Sequence, residues 1–302
     1  MTSLTLSPLA KARFTHVQRE YRRVWVYVIP VTIVFAVVFI GPLAVTIWTA
    51  LHRTDYFEVK EFAGLTAFVD LFSDEDLLSQ VGTTLAFACG ALVVALPLGL
   101  LSAIVLNNIT RFTRLVRSLF LLPWLMSQAT AGTIWLWFLN PNYGPATAFA
   151  RSLGLGSTDT FSNPTSALIA VTLITAWWSY PQAMLLFLGA LQTVPVELKD
   201  SLKVDGGNAW QGFTNVTLPY LRNSIVSVVV VLLMLYVQMV TIILVTTRGG
   251  PLIATETLAV RVFNQTFQDY DLAGASATAL LLFAINILLT LVAIRFRRKE
   301  SL

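Results

Sequence analysis

Six long apolar runs constrain the fold of this chain more than any other feature of its sequence. Each run reaches the roughly 20 helical residues needed to cross a hydrocarbon layer of ~30 Å. One Asp, Lys or Arg at a helix centre costs about 2.5–3.5 kcal/mol. The absence of these residues predicts an all-α, polytopic membrane protein with six transmembrane helices. The runs, which contain no charged side chain, span residues 24–51, 79–107, 118–139, 165–193, 224–247 and 272–294.

The overall composition agrees with a membrane fold. The chain is 56% hydrophobic and 12% charged, whereas about 25% of residues in soluble domains are charged. Residues 1–23 are polar and basic, and the apolar run that follows them is too long for the core of a cleavable signal peptide. The single cysteine, Cys89, excludes an intrachain disulfide, and we expect it to be a small core residue because it lies in an apolar run.

Basic residues are unevenly distributed among the segments that connect the runs. If the N-terminus lies in the cytoplasm, 15 of the 20 Lys and Arg residues fall on the cytoplasmic side. Because basic residues prefer that side, we predict that both termini are cytoplasmic. The pI of 9.3 then reflects membrane topology and not nucleic-acid binding. The predicted parts are a basic N-terminal segment (1–23), a six-helix transmembrane domain (24–294) with a cytoplasmic loop at 195–222, and a cytoplasmic tail (295–302).

The sequence lacks the motifs of an enzyme or of a self-powered transporter. It contains no phosphate-binding loop of the form G-x-x-x-x-G-K-[ST] and no cluster of metal ligands, and its two histidines lie outside the runs. No carboxylate or histidine relay of the kind used by proton-coupled transporters lies at membrane depth. We therefore expect neither catalysis nor a cofactor or metal in this chain. A stand-alone secondary transporter or a channel is the alternative hypothesis.

The loop between the fourth and fifth runs carries the most specific local pattern. Pro195 and Glu197 suit the first turn of a helix, and Gly206 suits the left-handed backbone that ends one. Asn208 can cap a second short helix, which we expect to end near Pro219. The loop is therefore predicted to be a helix–turn–helix.

Trp210 and Phe213 share one face of the second helix and predict a partner surface in the cytoplasm. The segment resembles the E-A-A loop of binding-protein-dependent ABC permeases. Its matching positions are Pro195, Glu197, Leu198, Asp205, Gly206, Phe213, Val216, Leu218 and Pro219. Asp200, Ser201 and Leu202 replace the E-A-A triplet, and Gly207 replaces a later alanine. The resemblance implies that a separate ATPase docks here, with coupling residues Glu197, Asp200, Asp205, Gly206, Trp210, Phe213 and Pro219.

Further segments extend the resemblance to nearly the whole chain. Residues 64–74, 117–124, 140–144 and 248–277 are similar to the carbohydrate-uptake permeases, and Gly249-Gly250-Pro251 points to the first of their two permease types. The resemblance implies a type I ABC importer permease fold in the bacterial inner membrane, embedded in lipid. It also implies three protein partners: a second homologous permease, a dimer of ATP-binding-cassette ATPase subunits that bind ATP and Mg, and an extracytoplasmic solute-binding protein.

The same resemblance places a sugar site on the spans that flank the coupling loop. Sugars stack on aromatic faces and accept or donate hydrogen bonds with amides and hydroxyls. The alternative is that the Trp residues anchor the membrane interface and the Gln residues join helices. The candidate substrate-binding residues are Trp177, Trp178, Ser179, Tyr180, Gln182, Tyr236, Gln238, Thr241 and Gln128.

The charge of the spans bears on the class of substrate. No ionised side chain lies at membrane depth, so an anion would lose its hydration there without a fixed counter-charge. We therefore expect a predominantly neutral carbohydrate or glycoside, contacted by Trp178, Gln182, Tyr236 and Gln238. An ABC permease for a non-sugar solute is a further alternative.

Overall fold

Helices make up most of the chain in the computed structural model, which describes residues 25–108, 113–154, 159–204 and 206–298. The N-terminal segment 1–23, Asp205 and residues 299–302 of the predicted tail lie outside the described residues. The helices are α1 (Trp25–Ala50), α2 (Thr66–Ser73), α3 (Leu77–Asn108), α4 (Thr113–Leu125), α5 (Gln128–Phe138), α6 (Pro145–Ser152), α7 (Pro164–Leu191), α8 (Val196–Val204), α9 (Ala209–Val237), α10 (Thr241–Thr246), α11 (Leu258–Phe267) and α12 (Leu272–Arg298); two strands, β1 (His52–Asp55) and β2 (Glu58–Phe62), follow α1.

Five helices are long and apolar enough to cross a membrane, and they confirm five of the predicted spans: α1, α3, α7, α9 and α12. The third predicted span is instead two helices, α4 and α5, with a bend of 92° between them. Pro123 interrupts the hydrogen bonds of α4. Ser127 is extended and caps α5, because its side chain accepts a hydrogen bond from the Thr130 backbone N–H. The pair counts as a sixth span if the bent helices cross together.

The fifth span differs from its prediction at both ends. Helix α9 begins at Ala209 in the loop between the fourth and fifth predicted spans, passes through a π-helical turn at Phe213–Thr217, and continues to Val237. The expectation that the loop helix ends near Pro219 was therefore wrong. Pro219 is the second residue of the regular segment after the π turn, where its missing N–H is tolerated. The chain then leaves the helix at Gln238 and resumes at α10.

Small residues allow α3 and α7 to pack closely, and their contact is the most extensive between any two described helices. Ala91, Ala95 and Gly99 recur every four residues along one face of α3 and point toward α7. A Cβ atom added at Gly99 would lie 2.5 Å from the Ala183 Cβ atom. Phe187 fills the same core without exposure to the surface. The α3–α7 pair is therefore the centre of the helix bundle.

Large apolar side chains cover the outside of the bundle, as expected for a surface that faces lipid. The apolar window of α1 has no buried residue, and its C-terminal part packs on α12. Cys89 is exposed, so the expectation of a core position was wrong. Its neighbours Phe87, Ala88 and Ala91 occupy the face of α3 that turns toward the core.

A short hairpin modifies the all-α prediction. Strands β1 and β2 are antiparallel and pair Thr54 with Val59. The turn carries Tyr56 and Phe57, whose rings lie 5.4 and 5.5 Å from the ring of Tyr270, just before α12. The hairpin therefore joins the end of α1 to the beginning of α12, a contact that no local sequence pattern indicated.

A buried polar network fixes α11 to α2 and α3 at the same end of the molecule. The Arg261 side chain is 8% exposed and donates hydrogen bonds to Gln80 Oε1 at 2.6 Å and to the Asp74 carboxylate at 2.5 Å. Burial alone would raise the pKa of Asp74. The backbone N–H of Asp76 and the Arg261 guanidinium outweigh that effect and lower it. In addition, the Thr84 hydroxyl accepts a hydrogen bond from the Leu258 backbone N–H at 2.9 Å.

Candidate functional site

The predicted coupling loop has the local structure that its sequence indicated. Helix α8 begins directly after Pro195 and carries Glu197 in its first turn. Gly206 has a φ of +76°, in the left-handed region that favours glycine. Asn208 caps α9 with a reciprocal pair of hydrogen bonds to Gln211. The helix–turn–helix prediction is confirmed from the start of α8 to the cap of α9.

The two aromatic residues of the loop have different surroundings. Trp210 is 70% exposed, whereas Phe213 is partly buried, and their ring centroids lie 5.9 Å apart. Phe213 lines a cavity of about 480 Å³ against Ile104 and Asn107 at the end of α3. Trp210 is therefore the aromatic residue free to meet a partner. Of the other expected coupling residues, Asp200 is exposed on α8 and Pro219 lies within α9.

A second candidate site lies where α4–α5 and α9–α10 are interrupted. Two side chains of α7 supply donors to the backbone around the first interruption. Trp178 Nε1 donates to the Met126 carbonyl at 3.0 Å, and Tyr180 Oη donates to the Phe120 carbonyl at 3.2 Å. A broken helix at membrane depth leaves carbonyls that other groups must satisfy. Trp178 and Tyr180 therefore support the bend beside Pro123.

Ser179, which lies between Trp178 and Tyr180, supports the interruption between α9 and α10. Ser179 Oγ and Tyr236 Oη are 2.7 Å apart, and neither residue is exposed. Tyr236 stands at the end of α9, directly before the break at residues 238–240. Three consecutive residues of α7 thus hold both interruptions, with Trp178 and Tyr180 on one side and Ser179 on the other.

Four of the expected substrate-binding residues keep their polar groups free, and we call them the polar break site. Gln182 follows Trp178 by one helical turn on the same face of α7, and within the described residues none of the four side chains has a hydrogen-bond partner. Helices α5 and α10 pack together beside α7, since a Cβ atom at Gly132 would lie 3.2 Å from Val245 Cγ1. The site comprises the partly buried Gln128 and Gln182 and the exposed Gln238 and Thr241.

Trp177 lies apart from the polar break site. Its ring is 5.4 Å from that of Trp135, and both line an apolar cavity of about 460 Å³ between α3, α5 and α7. The structure therefore leaves the three amides and one hydroxyl without hydrogen-bond partners among the described residues, gives Trp178, Ser179, Tyr180 and Tyr236 protein partners, and places Trp177 in an apolar cavity beside α7. Within the part of the chain that the structure describes, no group of three His, Cys, Asp or Glu residues could hold a metal ion.

Sequence reasoning missed the bend at Met126–Ser127, which brings the backbone into the site. A signal was present in Pro123 followed by Ser127 and Thr130, because a proline and a capping pair commonly end one helix and begin another. The sequence analysis also did not single out three polar residues that line a cavity nearer the beginning of α9: Asn223, Ser224 and Ser227.

Comparison with known proteins identifies relatives along almost the whole chain. The chain is 31% identical over 278 residues to the sn-glycerol-3-phosphate transport system permease protein UgpA of Yersinia enterocolitica, which covers 91% of this chain and 94% of the relative. The protein of the same name from Escherichia coli strain UTI89 is 30% identical over 279 residues, with 92% and 94% coverage.

The fold is shared with a solved transporter. The TM-score is 0.82, at 19% identity, with a chain of a bacterial ABC transporter involved in the import of the acidic polysaccharide alginate; 95% of this chain and 100% of that chain are covered. A second structure of the alginate transporter, in complex with an alginate-bound periplasmic protein, has a TM-score of 0.80. The family model for the inner membrane component of binding-protein-dependent transport systems matches residues 95–300. The chain belongs to this family of inner membrane permeases.

Proposed function

We propose that this chain is the permease subunit of an ATP-driven importer that moves a sugar or sugar derivative from an extracytoplasmic solute-binding protein into the cytoplasm. A second homologous permease completes the pathway, and a separate ATPase dimer binds ATP and Mg. The termini and the 195–219 loop face the cytoplasm, and the hairpin end of the molecule faces outward. This chain contributes no ATPase site of its own.

The continuity of α9 is the observation that carries this proposal. One helix of 29 residues runs from the capped turn at Asn208 to the break at Gln238, a length of about 44 Å at 1.5 Å per residue. An ATPase docked on Trp210 would therefore displace the polar break site when it closes. Chemical energy released outside the membrane would reach the solute through this helix.

The free polar groups support a solute rich in hydroxyls. Three amides and one hydroxyl, without partners in the described residues, can each exchange hydrogen bonds with a sugar, as protein side chains commonly do in orienting a ligand. Trp178 and Tyr236 have polar atoms that are already bonded, so we narrow the expected direct contacts to Gln182 and Gln238, with Gln128 and Thr241 as further candidates.

The sequence-based expectation of a neutral sugar rests on the absence of charge at membrane depth. The named relatives point to anionic solutes, because sn-glycerol 3-phosphate carries a phosphate and alginate is an acidic polysaccharide. We therefore propose the wider class of sugars and sugar derivatives. For an anionic member, the second permease or backbone N–H groups would supply the missing positive potential.

Uptake by the reconstituted importer tests the proposal. Proteoliposomes holding this chain, its partner permease and the ATPase should accumulate one member of a panel of neutral sugars, sn-glycerol 3-phosphate and acidic oligosaccharides, only with ATP and the binding protein. Gln182→Leu with Gln238→Leu should reduce uptake about 5- to 150-fold, because each lost hydrogen bond to a neutral group contributes about 0.5–1.5 kcal/mol. The control is Leu173→Met, an exposed apolar residue of α7 that lines the cavity of Trp177. Uptake without ATP would instead identify a secondary transporter.

A further inference from the structure

A small cavity lies between α7 and α9, nearer the coupling loop than the polar break site. Its volume is about 220 Å³. Its walls are Leu186 of α7 and Asn223, Ser224, Ser227, Val228 and Val231 of α9. Asn223 and Ser224 follow Arg222 at the beginning of the apolar run, and Ser227 is the one polar residue between Ile225 and Leu235.

The exposed residues of α9 form one continuous face that links this cavity to the polar break site. Asn223, Ser227, Val231, Met234 and Gln238 follow one another at intervals of three or four residues, and each is exposed or partly exposed. Such spacing places them in a single row along the helix. The facing helix repeats the arrangement, because Leu186 lies one turn beyond Gln182 on α7 and is 42% exposed.

The polar groups of the cavity are not consumed by the protein. Ser227 Oγ donates to the Asn223 backbone carbonyl at 3.0 Å. Within the described residues the Asn223 amide and the Ser224 hydroxyl have no partner. Asn223 follows Arg222 at the edge of the apolar run, where both side chains can reach water, and Ser224 is the first residue of that run. Ser227 and Val231 continue the same face into the run, so we expect the row that borders water or solute to extend along α9 from Asn223.

We propose that Asn223, Ser224 and Ser227 form an inner station of the pathway, which receives the hydroxyl groups of the solute after they leave Gln182 and Gln238. This inference rests on the proposed function and extends it from one site to a row of sites along α9. Because the Ser227 hydroxyl is already bonded, Ser227 contributes space to the station, whereas Asn223 and Ser224 contribute hydrogen bonds.

Thiol accessibility in the assembled importer tests whether this face borders water. Cys89 is the single cysteine of the chain, so a Cys89→Ala background allows one thiol to be placed at a time. Ser227→Cys is compared with Leu101→Cys, which is 59% exposed on α3 within about two turns of the same end of the bundle. A membrane-impermeant, charged methanethiosulfonate is added to inside-out vesicles with and without ATP.

We expect Ser227→Cys to react at least about tenfold faster than Leu101→Cys in one of the two conditions, because a thiol in hydrocarbon does not ionise. Equal rates in both conditions would overturn the inference. Uptake is measured on the same vesicles. If uptake by the background importer is intact while the rates are equal, the inner station fails and the proposed function stands. If the background importer shows no ATP-driven uptake, the proposed function fails.

A bulky substitution at Ser227 tests whether the solute needs the space of the inner station. Ser227→Trp should abolish uptake while the ATPase still co-purifies. Leu101→Trp, on the lipid side, should transport normally. Normal uptake by Ser227→Trp would contradict the station, and if that variant does not assemble, the thiol rates decide.

Discussion

Gly206 sets the backbone conformation of the turn between α8 and α9. Its φ of +76° is left-handed, and no atom lies within 4 Å of a Cβ atom built on it. The cost of a side chain there comes from the backbone alone, about 1–2 kcal/mol for an ordinary residue. Gly206→Val should therefore distort the turn between α8 and α9 and reduce both ATPase co-purification and uptake.

Two further variants isolate the backbone effect. Gly82 also has open space around its Cβ position but has an ordinary helical conformation, so Gly82→Val should leave the complex intact. Gly206→Asn should retain most activity, because asparagine tolerates the left-handed region. Equal losses for Gly206→Val and Gly82→Val would contradict this role of Gly206.

Residues governed by their neighbours in sequence were predictable, and residues governed by distant partners were not. The cap at Asn208 and the turn at Gly206 follow from local rules and were both predicted correctly. Trp178 and Tyr236 were expected to contact solute, but their partners, Met126 and Ser179, lie 52 and 57 positions away in the sequence. Nothing near either residue indicates these bonds.

At the scale of helices, the close contact of α3 with α7 depends on a missing side chain. A Cβ atom at Gly99 would lie 2.5 Å from Ala183 Cβ and 3.0 Å from backbone atoms of α7. Gly99→Ala should lower the stability of the purified complex by about 1–3 kcal/mol through overpacking. Thermal unfolding in detergent measures the effect. Ala183→Gly should restore part of the loss, and Gly189→Ala, which has open space, should cause none.

The Asp74–Arg261 pair makes a separate prediction about the anchoring of α11. Asp74→Asn leaves the buried Arg261 guanidinium without its counter-charge, which should cost about 1–3 kcal/mol because the Asp74 carboxylate is partly exposed. The exposed neighbour Glu75→Gln is the control. Asp74→Asn combined with Arg261→Gln should be less destabilised than Asp74→Asn alone. A larger loss in the double variant would contradict a charge-pairing role.

The pH dependence of the same pair follows from the direction of its pKa shift. The pKa of Asp74 is lowered from its ordinary value of 3.8. The stabilisation is therefore fully present above 3.8 and is lost as the pH falls through the lower value of the folded protein. The contribution of Asp74 to the unfolding temperature of the wild type should accordingly be the same near neutral pH and at mildly acidic pH.

Apolar length identified the membrane helices, but it could not locate their interruptions. Each of α1, α3, α7 and α12 agrees with its predicted run because twenty uncharged residues leave few alternatives. The breaks after Leu125 and Val237 lie within equally apolar runs. They depend on donors from α7, and the hairpin depends on Tyr270, so these features required the tertiary structure.

At the scale of the whole molecule, one helix, α9, connects the proposed docking surface for the ATPase to the polar break site. The chain offers Trp210 at one end of α9 and Gln238 at the other. The end of the molecule that carries the hairpin is fixed by the Arg261 network, and the surface of the helix bundle is apolar. The molecule is thus suited to convert the movement of a partner into rearrangement of a solute site. We propose that this partner is the ATPase.

Quantitative co-purification of the importer tests that claim most directly. Trp210→Ala removes the exposed aromatic contact, and Trp25→Ala removes a tryptophan of similar exposure on α1, 58% against 70%. We predict that Trp210→Ala lowers the amount of an ATP-binding-cassette ATPase, identified by mass spectrometry, and abolishes ATP-driven uptake, whereas Trp25→Ala preserves both. Equal ATPase recovery and equal uptake for the two variants would contradict docking on this loop.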